Sequence, residues 1–278
     1  MNDPLYLEHD QCRLAYSVDG TGSPVLLIQG VGVAGSGWRP QLTALRAHHR
    51  CLWYDNRGLG SSAPGTGRLT VQQLAADARA LLDSQGWARA HLVGHSLGGL
   101  IALRLALDYP ERVHSLALLC TFARGRAAGA SLRMAWIGLR TRIGSRRSRR
   151  AAFFEILAAP GSLTTADEER LSTDLAPLFG HDLADHPAVE AAQLSAMRGY
   201  DATSELGRLR GIPTLVVSAF HDPIAPPELG RVIADGIPNA RYVVLPDASH
   251  GAPILATAAV NALLLEHLAA VDKATVAS

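Results

Sequence analysis

Three residues far apart in the chain carry the side chains needed to cut an acyl bond. They are Ser96 in Gly94-His95-Ser96-Leu97-Gly98, Asp222 in Phe220-His221-Asp222-Pro223, and His250 in Asp247-Ala248-Ser249-His250-Gly251. A serine hydroxyl is a poor nucleophile unless its oxygen is exposed and a base sits against it. An imidazole at His250 could take the Ser96 proton and later return it to the leaving group, while a carboxylate at Asp222 would hold that ring in the useful tautomer and stabilise its charged form. Tetrahedral addition puts negative charge on the former carbonyl oxygen, and backbone N–H groups at a glycine-rich turn can accept it. This chemistry requires neither a metal nor an organic cofactor. Asp247 is the rival acid, but it shares a short loop with the base, where reaching the far ring nitrogen is awkward.

The elements around these residues support the same roles. The pentapeptide around Ser96 follows the apolar run Ala90-His91-Leu92-Val93 and precedes a helical pattern from Leu100 to Tyr109. A sharp strand-to-helix turn would expose Ser96, Gly94 and Gly98 leave room for the strained backbone, and the helix start adds a positive dipole end. Glycine and serine are common in ordinary turns, so the placement between strand and helix carries the inference. Asp222 and His250 each follow a strand pattern, Pro213–Ala219 and Arg241–Leu245. In an open parallel sheet, reactive groups gather beyond the carboxyl ends of strands.

Along the chain, short strand patterns alternate with helical ones, which predicts an α/β fold with a mostly parallel twisted sheet and helices on both faces. Leu5–Glu8 and Arg13–Val18 read as a hairpin-like pair with a turn at Asp19-Gly20. Pro24–Gln29 reads as a strand, Gly30–Gly37 as a glycine-rich loop entering a helix that runs to His48, and Cys51–Tyr54 as the next strand. Apolar positions from Val71 to Leu82 recur at helical spacing behind a possible N-cap at Thr70. Val113–Thr121 is a further strand, Pro226–Asp235 a helix, and Ala252–Ala270 a long final helix.

Between 122 and 209 the pattern is helical without strands, which predicts an inserted helical cap over a core made of 1–121 and 210–278. Arginines dominate its first half, from Arg124 to Arg150, and acids its second, from Asp167 to Asp185. A solvated face with paired charges explains this gradient better than a nucleic-acid patch, because no aromatic interleaving accompanies it.

A chain of 278 residues with 48% hydrophobic content can bury one large core. The 26 basic and 25 acidic residues nearly cancel, so no overall field favours nucleic acid or an anionic membrane. Apolar runs are too short to span a membrane, and the start of the chain lacks secretory features. Cys12, Cys51 and Cys120 are widely spaced, which fits free buried thiols in a cytoplasmic protein better than a disulfide framework or a zinc pattern.

The order Ser, Asp, His, each at a strand end, resembles the α/β-hydrolase superfamily, and its esterase, lactonase and haloperoxidase-like branch with a helical cap in particular. Gln29-Gly30-Val31-Gly32 resembles that family's oxyanion loop, and Asp55-Asn56-Arg57-Gly58-Leu59-Gly60-Ser61-Ser62 resembles its Asp-x-Arg-Gly-x-Gly-x-Ser loop. The resemblance covers nearly the whole chain. It implies an α/β-hydrolase fold and an oxyanion hole built from the backbone N–H groups of Val31 and Leu97. Gln29 departs from the family pattern, which often has histidine there to organise the loop; a glutamine amide could serve the same end.

Some residues have a structural reading beside the chemical one. Asp55 and Arg57 suit a clamp built on the guanidinium fork better than a catalytic pair. His91 and His95 suit packing, and Cys120 a place in the core. Trp38, after the oxyanion loop, and Trp136, with Met134 in the insertion, are candidate substrate-binding walls; helix packing would use them equally well.

The leading expectation is a hydrolase that opens a small carboxylic ester or lactone through an acyl-serine. Carbon–carbon bond hydrolysis and haloperoxidase-type peracid formation use the same three groups and stay open. Serine at position 96 argues against the dehalogenases and epoxide hydrolases of this fold, which use aspartate. A non-catalytic small-molecule receptor is the reading from another class. A small-molecule substrate is the expected partner, and an exposed apolar face of the insertion could join two protomers.

Overall fold

The computed structural model describes residues 3–276. Eight strands form one sheet: β1 (Leu5–His9), β2 (Cys12–Asp19), β3 (Ser23–Ile28), β4 (His49–Tyr54), β5 (Ala90–His95), β6 (Val113–Leu119), β7 (Thr214–Ala219) and β8 (Arg241–Leu245). Their order across the sheet is β1-β2-β4-β3-β5-β6-β7-β8. The β1–β2 and β2–β4 pairs are antiparallel, and the rest run parallel.

Among the described residues ten α-helices join or follow them: α1 (Arg39–Leu45), α2 (Val71–Ser84), α3 (Leu97–Asp108), α4 (Leu132–Arg140), α5 (Arg146–Leu157), α6 (Thr165–Phe179), α7 (Glu190–Arg198), α8 (Pro227–Gly236), α9 (Ala252–Leu255) and α10 (Thr257–Val276). Among the described residues no helix is long and apolar enough to cross a membrane.

Alternation along the strands divides the core. Leu26, Ile28, Leu92, Leu116, Leu118 and Val216 face the layer that holds α2, α3 and α8, whereas Val25, Leu27, Val93, Ala117, Leu215 and Val217 face the layer of α1 and α10. Successive side chains of a strand point to opposite faces, so a sheet covered on both sides needs nearly unbroken apolar strands. Each fully buried aliphatic side chain contributes about 1.5–3 kcal/mol of transfer free energy. Helix α3 lies between the sheet and its neighbours and is buried from Leu97 through Leu107, which fixes the element behind Ser96.

Three boundary expectations need correction. The first hairpin turns at Asp10-Gln11, where φ is 45° and 55°, the two left-handed residues that a tight hairpin turn requires. Asp19-Gly20 instead leads from β2 toward β3; a Cβ on Gly20 would lie 2.3 Å from the His49 carbonyl oxygen. The helix expected to reach His48 is a short turn (Gly35–Trp38) followed by α1, and β4 already starts at His49. The long last helix is interrupted at Ala256, between α9 and α10.

Helices α4 to α7 lie between β6 and β7, and among the described residues this segment contains no strand, only an isolated bridge between Arg124 and Asp201. Ser131, Ser145 and Thr164 cap α4, α5 and α6 by accepting the N–H of Met134, Ser148 and Asp167. Phe154, Leu157, Leu175, Phe179 and Leu183 form a small core there with Val33 of the main sheet's loop. Three of the arginines pair with the acidic half, Arg146 with Asp185, Arg147 with Glu169 and Arg150 with Asp182, while Arg140 pairs with Glu155 and Arg142 with Glu190.

Candidate active site

Ser96 sits between β5 and α3 with φ 53° and ψ −119°, a conformation that costs about 1–3 kcal/mol for a residue with a side chain. The surroundings enforce it. The Ser96 N–H donates to the Leu119 carbonyl at 3.0 Å, and the Thr121 hydroxyl donates to the Ser96 carbonyl at 2.7 Å. A Cβ at position 94 would stand 2.3 Å from the Gly98 carbonyl oxygen, and one at position 98 only 2.0 Å from that of Ile28. The flanking glycines are therefore required by backbone contact.

The three expected side chains meet. His250 Nε2 is 3.1 Å from Ser96 Oγ, and His250 Nδ1 is 2.7 Å from Asp222 Oδ2. All three residues are buried. The other Asp222 oxygen accepts the backbone N–H groups of Ile224 and Ala225, both at 2.8 Å, so the carboxylate is oriented from below. Asp247 is exposed and makes no bond to the imidazole.

Neighbouring groups hold His250 in place. The His95 ring nitrogen Nε2 lies 2.9 Å from the His250 carbonyl and donates to it. Burial, reinforced by the nearby His250, lowers the His95 pKa to about 3, so its ring is neutral near pH 7. The backbone N–H groups of His250 and Gly251 donate to the carbonyls of Ile156 and Leu157 at 3.2 and 3.0 Å, tying the loop to the end of α5. Cys120 is fully buried at the end of β6, and burial together with the Asp222 carboxylate pushes its thiol well above its ordinary range. Its inert character matches the expected core role.

The loop after β3 approaches the serine closely. A Cβ on Gly30 would be 3.0 Å from that of Ser96. Val31 lines the adjoining cavity, while Leu97 is the first residue of α3, where no intrahelical carbonyl is available to its N–H. Gln29 is buried, and its side-chain oxygen accepts the Gly30 N–H at 3.3 Å, so the amide organises the loop.

The insertion grips the same loop. Gln193 of α7 accepts the Gly32 N–H at 2.9 Å, His181 Nε2 donates to the Gly32 carbonyl at 2.8 Å, and the Ala34 N–H donates to the Phe179 carbonyl at 3.0 Å. Gln193, His181 and Thr121 were not legible as site residues; an isolated polar residue on a helix gives no sequence signal of its partner. Phe179 and Leu175, spaced four apart on α6, do show a shared face.

A cavity of about 450 Å³ opens over Ser96 and His250. Its walls are mainly apolar, from Met134, Phe153, Ile156, Phe179, Leu194 and Ile254, with Arg142, His186 and Glu190 at a polar end. Two expected wall residues lie elsewhere. Trp38 is wholly buried in the α1/α10 layer, against the other face of the sheet. Trp136 points outward, 58% exposed, while its neighbours Met134 and Ala135 line the cavity. Residues near one another on a helix face different directions, so of the two residues expected on this turn Met134 reaches the cavity and Trp136 does not.

Asp55 and Arg57 are clamps, but not to each other. Asp55 accepts the N–H groups of Gly35 and Ser61, both at 2.8 Å. Arg57 is buried and makes a two-pronged pair with Asp77, at 2.5 and 2.7 Å.

Comparison with known proteins agrees with this architecture. The model of the alpha/beta hydrolase fold family matches residues 23–257. A provisionally named carbamate hydrolase, RutD, of Variovorax paradoxus strain S110 is 34% identical over 263 residues, covering 93% of this chain and 97% of its own. The enol-lactonase from Burkholderia xenovorans LB400 superposes with a TM-score of 0.79 at 30% identity, over 95% of this chain and all (100%) of the other. A protein provisionally named non-heme bromoperoxidase BpoC, from Mycobacterium tuberculosis H37Rv, gives a TM-score of 0.78 at 28% identity, over 93% and 96% of the two chains. With its sheet order and a family match across most of its length, the chain belongs to the α/β-hydrolase family and is a hydrolase of that family.

Proposed function

We propose that the protein hydrolyses a small carboxylic ester or lactone through an acyl-serine intermediate. The observation that carries this reading is the continuous contact from Asp222 through His250 to Ser96 beneath an apolar cavity. Ser96 Oγ attacks the substrate carbonyl carbon as His250 Nε2 takes its proton, and Asp222 stabilises the imidazolium that forms. The oxyanion is received by the N–H groups of Val31 and Leu97. His250 then protonates the leaving alkoxide, and a water activated by the same ring releases the acid. Helices α4 to α7 act as the cap that excludes bulk water and shapes the acyl pocket; no metal or cofactor enters any step. The enol-lactonase and carbamate hydrolase names of relatives support acyl transfer to water as the shared chemistry.

Labelling with a fluorophosphonate and turnover of a p-nitrophenyl ester and lactone series test this. The expected result is one label per chain at Ser96, many turnovers per active site, and loss of both in Ser96→Ala. Ligand binding without turnover would favour the receptor reading instead. The bromoperoxidase-named relatives favour a second outcome, attack of hydrogen peroxide rather than water on the acyl-serine to give a peracid. Monochlorodimedone bromination that requires both peroxide and a carboxylic acid would reveal it.

A further inference from the structure

At the opposite end of the sheet from Ser96, three imidazoles converge on one carboxylate. His49 opens β4, His91 and His114 are the second residues of β5 and β6, and Asp272 comes from the last turns of α10. His91 and His95 stand at the two ends of β5, separated by roughly 13 Å at about 3.3 Å per residue. His91 Nε2 is 3.0 Å from Asp272 Oδ1 and His114 Nε2 is 3.6 Å from the same oxygen. These three donor atoms all lie within 4.8 Å of one another. The second Asp272 oxygen accepts the Ser23 hydroxyl at 2.7 Å and is 3.7 Å from His49 Nδ1.

A helix-to-sheet tether explains part of this cluster, since a hydrogen bond between His91 and Asp272 fastens α10 to the sheet. It does not explain His114. Its nitrogen is too far from the carboxylate oxygen to donate a hydrogen bond. That separation is instead near the ~3.3 Å expected between two ligands in a tetrahedron with metal–ligand bonds of about 2.0–2.1 Å.

The outer contacts fit ligation too. His91 Nδ1 is 2.7 Å from Ser115 Oγ, so an Nδ1–H donor to the hydroxyl would leave the Nε2 lone pair facing the cluster. His91 is fully enclosed, whereas His114 and Asp272 are 16% and 31% exposed, which provides an entry path from solvent.

We propose that His91, His114 and Asp272 form a divalent transition-metal site, best suited to zinc, with a water completing a four-coordinate shell. The nitrogen-rich donor set favours zinc or a similar borderline ion over magnesium or calcium. The site departs from the expectation of a metal-free chain, which rested on cysteine spacing and on a Ser-His-Asp chemistry that needs no metal. Its distance from Ser96 makes it structural, pinning the last helix to the starts of β5 and β6. His114 Nε2 is also 3.2 Å from Thr275 Oγ1, a contact that metal binding would replace.

Calorimetric titration of EDTA-stripped, dialysed protein with zinc tests this. The expected result is one zinc per chain with a dissociation constant tighter than about 10 µM, and a thermal midpoint higher in zinc than in EDTA. His114→Ala and Asp272→Asn should each weaken binding at least tenfold, and Ser115→Ala about tenfold through the outer contact. Because His114 is partly exposed, its variant should fold, and melting in EDTA verifies that it does. Binding weaker than about 10 µM overturns the site, as does binding that survives both ligand substitutions in folded protein.

Discussion

Replacing Asp222 by Asn is the sharpest test of the relay, because the structure dictates which way the new amide must point. One Asp222 oxygen receives two backbone N–H groups, from Ile224 and Ala225 at 2.8 Å, and the other receives His250 Nδ1 at 2.7 Å. In Asp222→Asn only the carbonyl oxygen can satisfy the two N–H donors, so the NH2 group must face the imidazole. The ring then has to accept at Nδ1 and carry its proton on Nε2, toward Ser96 Oγ at 3.1 Å. A base whose lone pair has been replaced by a proton cannot deprotonate the serine. The expected loss in kcat on p-nitrophenyl acetate is about ten-thousand-fold, or ~5 kcal/mol of transition-state stabilisation. Nitrogen-15 NMR of the His250 ring should report the switch of tautomer directly. Asp247→Asn, altering an exposed carboxylate without a bond to the base, is the matched control and should leave kcat unchanged. The reasoning fails if folded Asp222→Asn keeps kcat within about tenfold of the parent, or if the NMR shows the proton still on Nδ1.

Three further outcomes follow from other contacts. Gln193→Met removes the acceptor for the Gly32 N–H while preserving side-chain length, and should lower kcat about ten- to hundredfold with KM little changed; an unchanged fluorophosphonate labelling rate would show that this contact does not position the proposed oxyanion loop. Gly98→Ala forces a Cβ to within 2.0 Å of the Ile28 carbonyl oxygen, with backbone on both sides. It should destabilise the fold by about 3 kcal/mol or more, lowering the thermal midpoint by roughly 6–12 °C, and a melt matching the parent would contradict the tight packing at the elbow. His95 and His267 are lowered by burial from 6.5 to about 3 and about 4, so the unfolded chain binds more protons than the folded one between those values. Stability from these rings is full above pH 6.5 and declines as pH falls toward 4, and His267→Leu should flatten that part of the profile of thermal midpoint against pH.

The arrangement of insertion and core gives these predictions a common basis. The carbonyls of Ile156 and Leu157 hold the His250 loop, and Gln193, His181 and Phe179 hold the loop after β3. Substitutions on the insertion that never touch substrate should therefore alter turnover through geometry.

The amino-acid sequence by itself determined the alternation of strands and helices, the helical segment between β6 and β7, and Ser96, Asp222 and His250, because each of these leaves a local mark. A strand facing two apolar layers is written in consecutive apolar residues, and an exposed serine turn is written in its flanking glycines. Only the tertiary structure decided which side chains reach a cavity and which distant groups share a pocket. Trp38 and Met134 both stood near promising motifs, yet one entered the core and the other the cavity wall, since rotation about a helix and the choice of sheet face depend on every neighbour packed against them. His91 and Asp272 make the same point from 181 positions apart, for their meeting depends on where the last helix docks and not on any pattern local to either residue.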